Sequence, residues 1–348
     1  MGPAASEESA TPLVKGRRPL TIGIDVGGTN LRAGVVDAEG RVVDAVSVDT
    51  PHEAQALEDA LVAAISELHG RNPVASVGLA VAGFVSREQD RVRFAPHLPW
   101  RDARVPELLE PRVGLPVFLE HDANSAAWGE LYFGPASLGE NVAVVAIGTG
   151  IGAALLIGGE IYRGSNGVAP ELGHLPLVPG GRACPCGKRG CFERYCSGTA
   201  LAATAAEMLA ADPGRATILT PGGELDGAAV ARAATAGDPI ALAAIADFAH
   251  WLGVGLSIVA DVFDPDLIVV AGGVAASAPL FLEDARRTYA GMVTGAGHRR
   301  LARIRRSELG ANAALIGAAE MARRKWGLAE LPVAGPAGTS ARDERPDR

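Results

Sequence analysis

Positive charge, aromatic side chains and an apolar leader are what this 348-residue sequence has least of. Lys and Arg number 32 against 40 Asp and Glu, a formal charge of -8. The chain therefore lacks the basic surplus that electrostatic binding of nucleic acid needs, and no nucleic-acid partner is expected. An anionic substrate would have to be met locally, by backbone N–H groups and a divalent cation. Aromatics make up only 5% while glycine reaches 44 residues. The core should therefore be small and aliphatic, with close backbone approaches. No N-terminal stretch joins a basic start, an apolar segment and a small-residue cleavage site, which leads us to expect a cytoplasmic protein. The run without charged residues that is long enough to span a membrane, Asn141 to Gly159, carries five glycines and Thr149 from Gly148 onward. It reads as strand, glycine turn, strand, so no membrane span is expected.

What is present is alternation. Residues 1–19 and 327–348 mix small, polar and charged residues without periodicity and read as disordered tails. The first of these is too short for a helix-turn-helix domain. Between them two segments share one design, Thr21 to Val36 and Val142 to Ile157, each a strand, a Gly/Thr turn and a second strand. Their recurrence about 120 residues apart suggests two related halves, a smaller α/β domain over 20–140 and a larger one over 141–326, with a cleft between. The last helices of the second are expected to pack back on the first. Helical patterns run from Glu53 to His69, Asn124 to Tyr132, Thr199 to Ala211, Pro239 to Val262, Pro279 to Met292 and Ala311 to Arg324. Short apolar runs at Val77 to Val81, Val117 to Leu119 and Leu267 to Val270 read as buried strands, and the alternation indicates an α/β fold.

Three glycine sites suit an anion. The turn Asp25-Val-Gly27-Gly28-Thr29-Asn30 lets unhindered backbone N–H groups approach phosphate, though it is neither a Walker A nor a dinucleotide motif. Asp25 at the strand end could hold Mg²⁺ through its waters. Gly148, Thr149, Gly150 and Gly152 form the matching turn, and Gly272-Gly273 follows a strand where a nucleotide would lie. Asp122 stands where the strand from Val117 meets a helix. It could cap that helix, or take the proton of a sugar hydroxyl as an O–P bond forms.

His174, Cys184, Cys186 and Cys191 give His-x9-Cys-x-Cys-x4-Cys in a Gly/Pro-rich loop. In a cytosolic chain such clustered cysteines read as metal ligands, and Cys₃His is a closed tetrahedral zinc set of structural type. Cys196 reads more simply as a buried thiol. Glu171 and Glu193 lie beside the cluster, and with the second nitrogen of a zinc-fixed His174 they could bind neighbouring hydroxyls of a sugar.

These stretches, namely Asp25 to Asn30, Glu120-His-Asp-Ala-Asn124, Ile147 to Gly152, Glu171-Leu-Gly-His174, Cys184 to Glu193 and Ala271-Gly-Gly-Val274, resemble the bacterial ROK group of repressors, open reading frames and kinases, most closely its glucokinases. The resemblance spans roughly residues 20 to 325. It implies the two-domain actin-like ATPase (ribonuclease H-like) fold with a central cleft, Mg-ATP on the glycine loops, and Asp122 as base against the sugar 6-hydroxyl. By motif position it implies that Gly83, His121, Asp122, Glu171, His174 and Glu193 hold the sugar, glucose foremost, and that zinc sits on His174, Cys184, Cys186 and Cys191. A homodimer or homotetramer is also implied. This sequence departs from the family pattern in two places. His121 stands where the family usually has a sugar-binding Asn, and Ala82 where Pro is common.

Overall fold

The computed structural model describes residues 19–219 and 225–328, so the expected tails fall, apart from residues 19, 327 and 328, outside the described residues. Strands β1 (Leu20–Val26), β2 (Asn30–Val36) and β3 (Val42–Asp49) run antiparallel. After helix α1 (Ala54–Arg71), β4 (Val74–Val81) returns parallel to β1. A small sheet of β5 (Phe84–Val85), β6 (Val92–Phe94) and β7 (Arg101–Ala103) follows, then α2 (Val105–Val113), and β8 (Val117–His121) lies parallel to β4. The main sheet has the order β3-β2-β1-β4-β8. On one of its faces α1 sets Leu57, Leu61, Ile65 and Leu68, an i, i+4, i+8, i+11 stripe, into a core with Ile22, Ile24 and Leu79.

Helix α3 (Asp122–Phe133) leads to a second sheet on the same plan. Its hairpin is β9 (Val142–Ile147) and β10 (Ile151–Ile157), so the uncharged run Asn141 to Gly159 is strand and turn, as expected. A short β11 (Glu160–Ile161) flanks it, and after the cysteine loop come α4 (Glu193–Cys196), α5 (Gly198–Ala211), α6 (Gly227–Thr235) and α7 (Pro239–Phe263). Strand β12 (Leu267–Ala271) then lies parallel to β9, and after α8 (Leu282–Met292) β13 (Arg303–Arg306) extends the edge, giving β11-β10-β9-β12-β13. Helix α7 is long and apolar enough to cross a membrane, but here it is the core helix of this half, with Phe248, Leu252, Leu256 and Val259 buried. It starts cleanly because Asp238 accepts the N–H groups of Ile240 and Ala241 ahead of Pro239.

The last described helix, α9 (Ala313–Lys325), packs on the remaining face of the first sheet and crosses α3. Glycines permit both contacts. A Cβ on Gly23 or Gly78 would overlap the carbonyls of Leu315 or Ala318, and one on Gly317 would overlap that of Ser125. Two helix boundaries differ from the sequence pattern. The helix expected from Pro279 is a 3-10 segment, Gly273–Leu280, before α8 begins at Leu282, since Pro279 brings no N–H to a continuous α-helix. The helix expected from Ala311 opens as the 3-10 turn Gly310–Asn312.

Candidate active site and metal centre

The glycine turns and the strand ends meet. In the first turn the Gly27 N–H donates to the Asn30 carbonyl at 3.1 Å. Thr50 straps this turn, its hydroxyl donating to the Gly27 carbonyl at 2.7 Å and its N–H to that of Thr29 at 2.9 Å. Gly28 lies under His97, where a Cβ would come within 2.5 Å of the histidine Cβ. Thr29 and Asn30 are exposed at the tip. The second turn is tied to the start of α5, since the Gly198 N–H reaches the Gly148 carbonyl at 2.8 Å and the Thr199 hydroxyl that of Thr149 at 2.9 Å. Gly272, at φ +80°, ends β12 against the backbone of Ile147, a place that only glycine fits. Side chains added at Gly148 or Gly273 would meet nothing, so both face open space. A Cβ added at Gly152 would come within 3.3 Å of the Cβ of Ala123, so the second hairpin lies beside the first turn of α3.

Strand β8 passes into α3 without a loop, making Asp122 the first helical residue and not the cap. Its Oδ1 accepts the Ala123 N–H at 2.7 Å and lies 3.0 Å from Nε2 of His121. Asp25 is the penultimate residue of β1, and its carboxylate accepts from Nη2 of Arg32 at 2.6 Å. Burial pushes the Asp25 carboxyl above its ordinary 3.8, Arg32 pulls it down, and the charge of Asp122 pushes it up again. Glu171 is likewise raised from 4.5, first by desolvation. His121 and His174 oppose that rise, while Asp122 and Glu193 add to it, even though 39% of the side chain stays exposed. Asp122 acts on both Asp25 and Glu171, and His121, His174 and Glu193 act on Glu171, so these side chains lie near one another. Glu193 opens α4 and accepts the Ile151 N–H at 2.9 Å, packed against Gly150 of the second turn. Gly83 follows Ala82, whose N–H reaches the Val26 carbonyl at 3.3 Å, so the ends of β1 and β4 lie side by side.

Sequence reasoning missed two supports of this site. Arg32 is the direct cross-strand partner of Asp25 in the hairpin register. The other support is Glu120, which is 1% exposed yet fully engaged. Its Oε1 accepts the His121 N–H at 2.9 Å and Nδ2 of Asn124 at 3.0 Å. Its Oε2 accepts Nε and Nη2 of Arg163 at 3.0 and 2.6 Å, and Nε2 of Gln89 at 2.5 Å. Arg163 follows β11, so this pair joins the second sheet's chain to the strand that ends just before Asp122. Eight residues on from Arg163 is Glu171, and a Cβ on the intervening Gly167 would overlap the backbone from Val85, the end of β5, to Arg87.

His174, Cys184, Cys186 and Cys191 come together as expected, their ligand atoms all within 4.8 Å of one another. Nδ1 of His174 is 3.7 Å from Sγ of Cys184, and Sγ of Cys186 is 3.6 Å from that of Cys191. A tetrahedron with bonds of ~2.3 Å has edges of roughly 3.8 Å, so the donors fit zinc in spacing and in chemistry. Without a cation, burial and the neighbouring thiols push the Cys191 thiol up to about 12. The loop is shaped by the Cys184 N–H donating to the Lys188 carbonyl at 3.0 Å and the Gly187 N–H to that of Cys184 at 3.0 Å. Cys196 stands apart, buried, with its thiol on the Phe248 carbonyl at 3.4 Å.

Two sheets of one plan, paired glycine hairpins, an aspartate at a strand-to-helix junction and a Cys₃His loop define a class of α/β proteins built on two similar sheets. The ROK family profile matches residues 21–325, and the chain belongs to that family. It is 41% identical to a glucokinase of Streptomyces coelicolor over 87% of this chain and 98% of that protein. Its structure is similar to a ROK family glucokinase from Streptomyces griseus in complex with glucose and AMPPNP, with a TM-score of 0.81, 40% identity, and coverage of 88% of this chain and 99% of that one. A ROK hexokinase from Thermus thermophilus matches with a TM-score of 0.70 and 34% identity over 88% and 99%. The fold is accordingly the actin-like ATPase fold expected from the motifs.

Proposed function

We propose that the protein is an ATP-dependent hexokinase that phosphorylates the 6-hydroxyl of glucose. The observation that carries this reading is the placement of Asp122 at the head of α3, next to the second glycine hairpin and within the field of Asp25 and Glu171. Such a carboxylate can take the hydroxyl proton while the sugar oxygen bonds to the γ-phosphorus and the β–γ bridging bond breaks, releasing ADP. Nucleotide phosphates and base would lie along Gly27, Gly28, Thr29, Asn30, Gly148, Thr149, Gly150, Gly152, Gly272 and Gly273, and Asp25 would hold Mg²⁺ through its waters. The open space over Gly148 and Gly273 and the carboxylate of Asp25 fit that cargo. Sugar hydroxyls would meet Gly83, His121, Asp122, Glu171, His174 and Glu193. Zinc on His174, Cys184, Cys186 and Cys191 would fix the ring of His174 and the loop between Glu171 and Glu193, a structural role.

The same reading takes residues 20–140 and 141–326 as two domains that close over the sugar to exclude water. It takes the enzyme as a cytoplasmic homodimer or homotetramer acting on small molecules. The test is a coupled ADP assay with Mg²⁺ and ATP across glucose, mannose, fructose, N-acetylglucosamine and N-acetylmannosamine. Turnover dominated by glucose is expected. Preference for another sugar would move the assignment to a different hexose, with His121 as the first suspect. Turnover with polyphosphate alone would change the donor, and binding without turnover would make the chain a sugar sensor.

A further inference from the structure

The start of α3 lacks the usual side-chain cap. His121 stands at the cap position, and its side chain accepts none of the helix's first N–H groups. The turn that carries Asp122 is braced instead by the residue before the cap. Oε1 of Glu120 accepts the His121 N–H at 2.9 Å and Nδ2 of Asn124 at 3.0 Å, so one oxygen grips the chain on both sides of Asp122. Asn124 is 1% exposed, and this is its side chain's one hydrogen bond among the described residues. Oε2 of Glu120 is fixed from elsewhere in the fold, by Arg163 after β11 and by Gln89 in the turn between β5 and β6. Both oxygens of this buried carboxylate are therefore engaged, one by the turn that bears the proposed base and one by distant parts of the chain.

We propose that Glu120 and Asn124 are positioning residues of the proposed base. They act from within the core, through the backbone of residues 121 to 124, and fix where the Asp122 carboxylate stands when the sugar hydroxyl arrives. This rests on the kinase reading and deepens it. Asn124 serves as a donor to a carboxylate, which an ionised aspartate of nearly equal size cannot do. Gln89 steadies the same carboxylate from its other oxygen, so a change in that turn reaches Asp122 as well.

Steady-state kinetics with glucose and ATP compare wild type, Asn124→Ala, Asn124→Asp and Gln89→Ala, each alone and combined with Asp122→Asn, with melting curves to confirm folding. Asn124→Ala should lower kcat by about tenfold with the KM for ATP unchanged, because small misplacements of a reacting group cost that much. Asn124→Asp fills the same space but sets a charge against Glu120, so its loss should be the larger. Gln89→Ala, a change in a turn, should lower kcat by about threefold on the same grounds. In the Asp122→Asn background each loss should shrink below about twofold, since a residue that acts through the base has nothing left to position. Losses of equal size in both backgrounds would show a merely structural role and overturn the inference. A kcat for folded Asn124→Ala within about twofold of an active wild type would overturn it too. If Asn124→Ala does not fold, the Gln89→Ala cycle decides by the same comparison. A folded wild type inactive on every sugar would instead overturn the kinase reading, and this role with it.

Discussion

Replacing Arg163 with alanine tests how the two halves of the site are joined. Glu120 is 1% exposed, and its charge is met by a guanidinium that donates twice to one oxygen. In Arg163→Ala the carboxylate keeps three neutral donors, from His121, Asn124 and Gln89, but loses its countercharge. Breaking a buried pair from one side costs about 3 to 5 kcal/mol, and the 26% exposure of Arg163 argues for the lower end. At about 2 °C per kcal/mol for a chain of this size, a loss of about 3 kcal/mol lowers the melting temperature by roughly 6 °C. Differential scanning calorimetry with saturating zinc reads this directly. Arg163→Lys, which keeps the charge but loses the planar fork, should fall between. Because Glu171 lies eight residues downstream, the KM for glucose should rise while that for ATP holds. A melting temperature for Arg163→Ala within about 1 °C of wild type would refute the claim that Glu120 depends on this partner.

Three further outcomes are expected. Asp122→Asn should still bind glucose by calorimetry yet lose turnover by about a hundredfold to ten-thousandfold, and near-normal rates would remove Asp122 as the base. Cys186→Ser should lose zinc by elemental analysis and melt earlier, and a chelator should do the same to wild type, because the ligand set joins three segments of one loop. Glu130 on α3, hydrogen-bonded by the Ser307 hydroxyl, has its carboxyl raised above 4.5, chiefly by burial. The folded state therefore binds that proton more readily than the unfolded chain, so this group's stabilisation is complete below the unfolded value and is lost as pH rises through the folded one. Glu130→Gln should flatten the decline in stability as pH rises above the ordinary carboxylate range in denaturant titrations, and an unchanged slope would count against the burial argument.

The sequence showed the glycine hairpins, the long apolar helices and the Cys₃His loop, because each is written in local pattern or tight spacing. The wealth of glycine foretold close backbone approach, and Gly23, Gly78 and Gly317 under α9 realise it. Elements whose stability comes from outside themselves were not legible. Helix α2 carries Pro111 within it. Strand β13, Arg303-Ile-Arg-Arg306, lacks apolar alternation and exists as an edge paired to β12. The Asp25–Arg32 pair could have been found by counting outward from the turn, yet an arginine on a strand reads first as a solvent-facing residue. The Glu120 cluster could not be found so, since Gln89 and Arg163 lie 31 and 43 residues away and reach it through tertiary placement.

The glycine-lined seat of α9 also bears on synthesis. The first sheet is made from the earliest part of the folded chain, but the face that receives Leu315, Ile316, Ala318 and Ala319 stays open until residues 313–325 have left the ribosome. The amino-terminal half therefore emerges with an unfinished apolar surface and cannot complete itself early, as a separate domain would. The last of the described helices closes the first layer to be made, so a nascent chain that stalls before it leaves that surface for chaperones to cover.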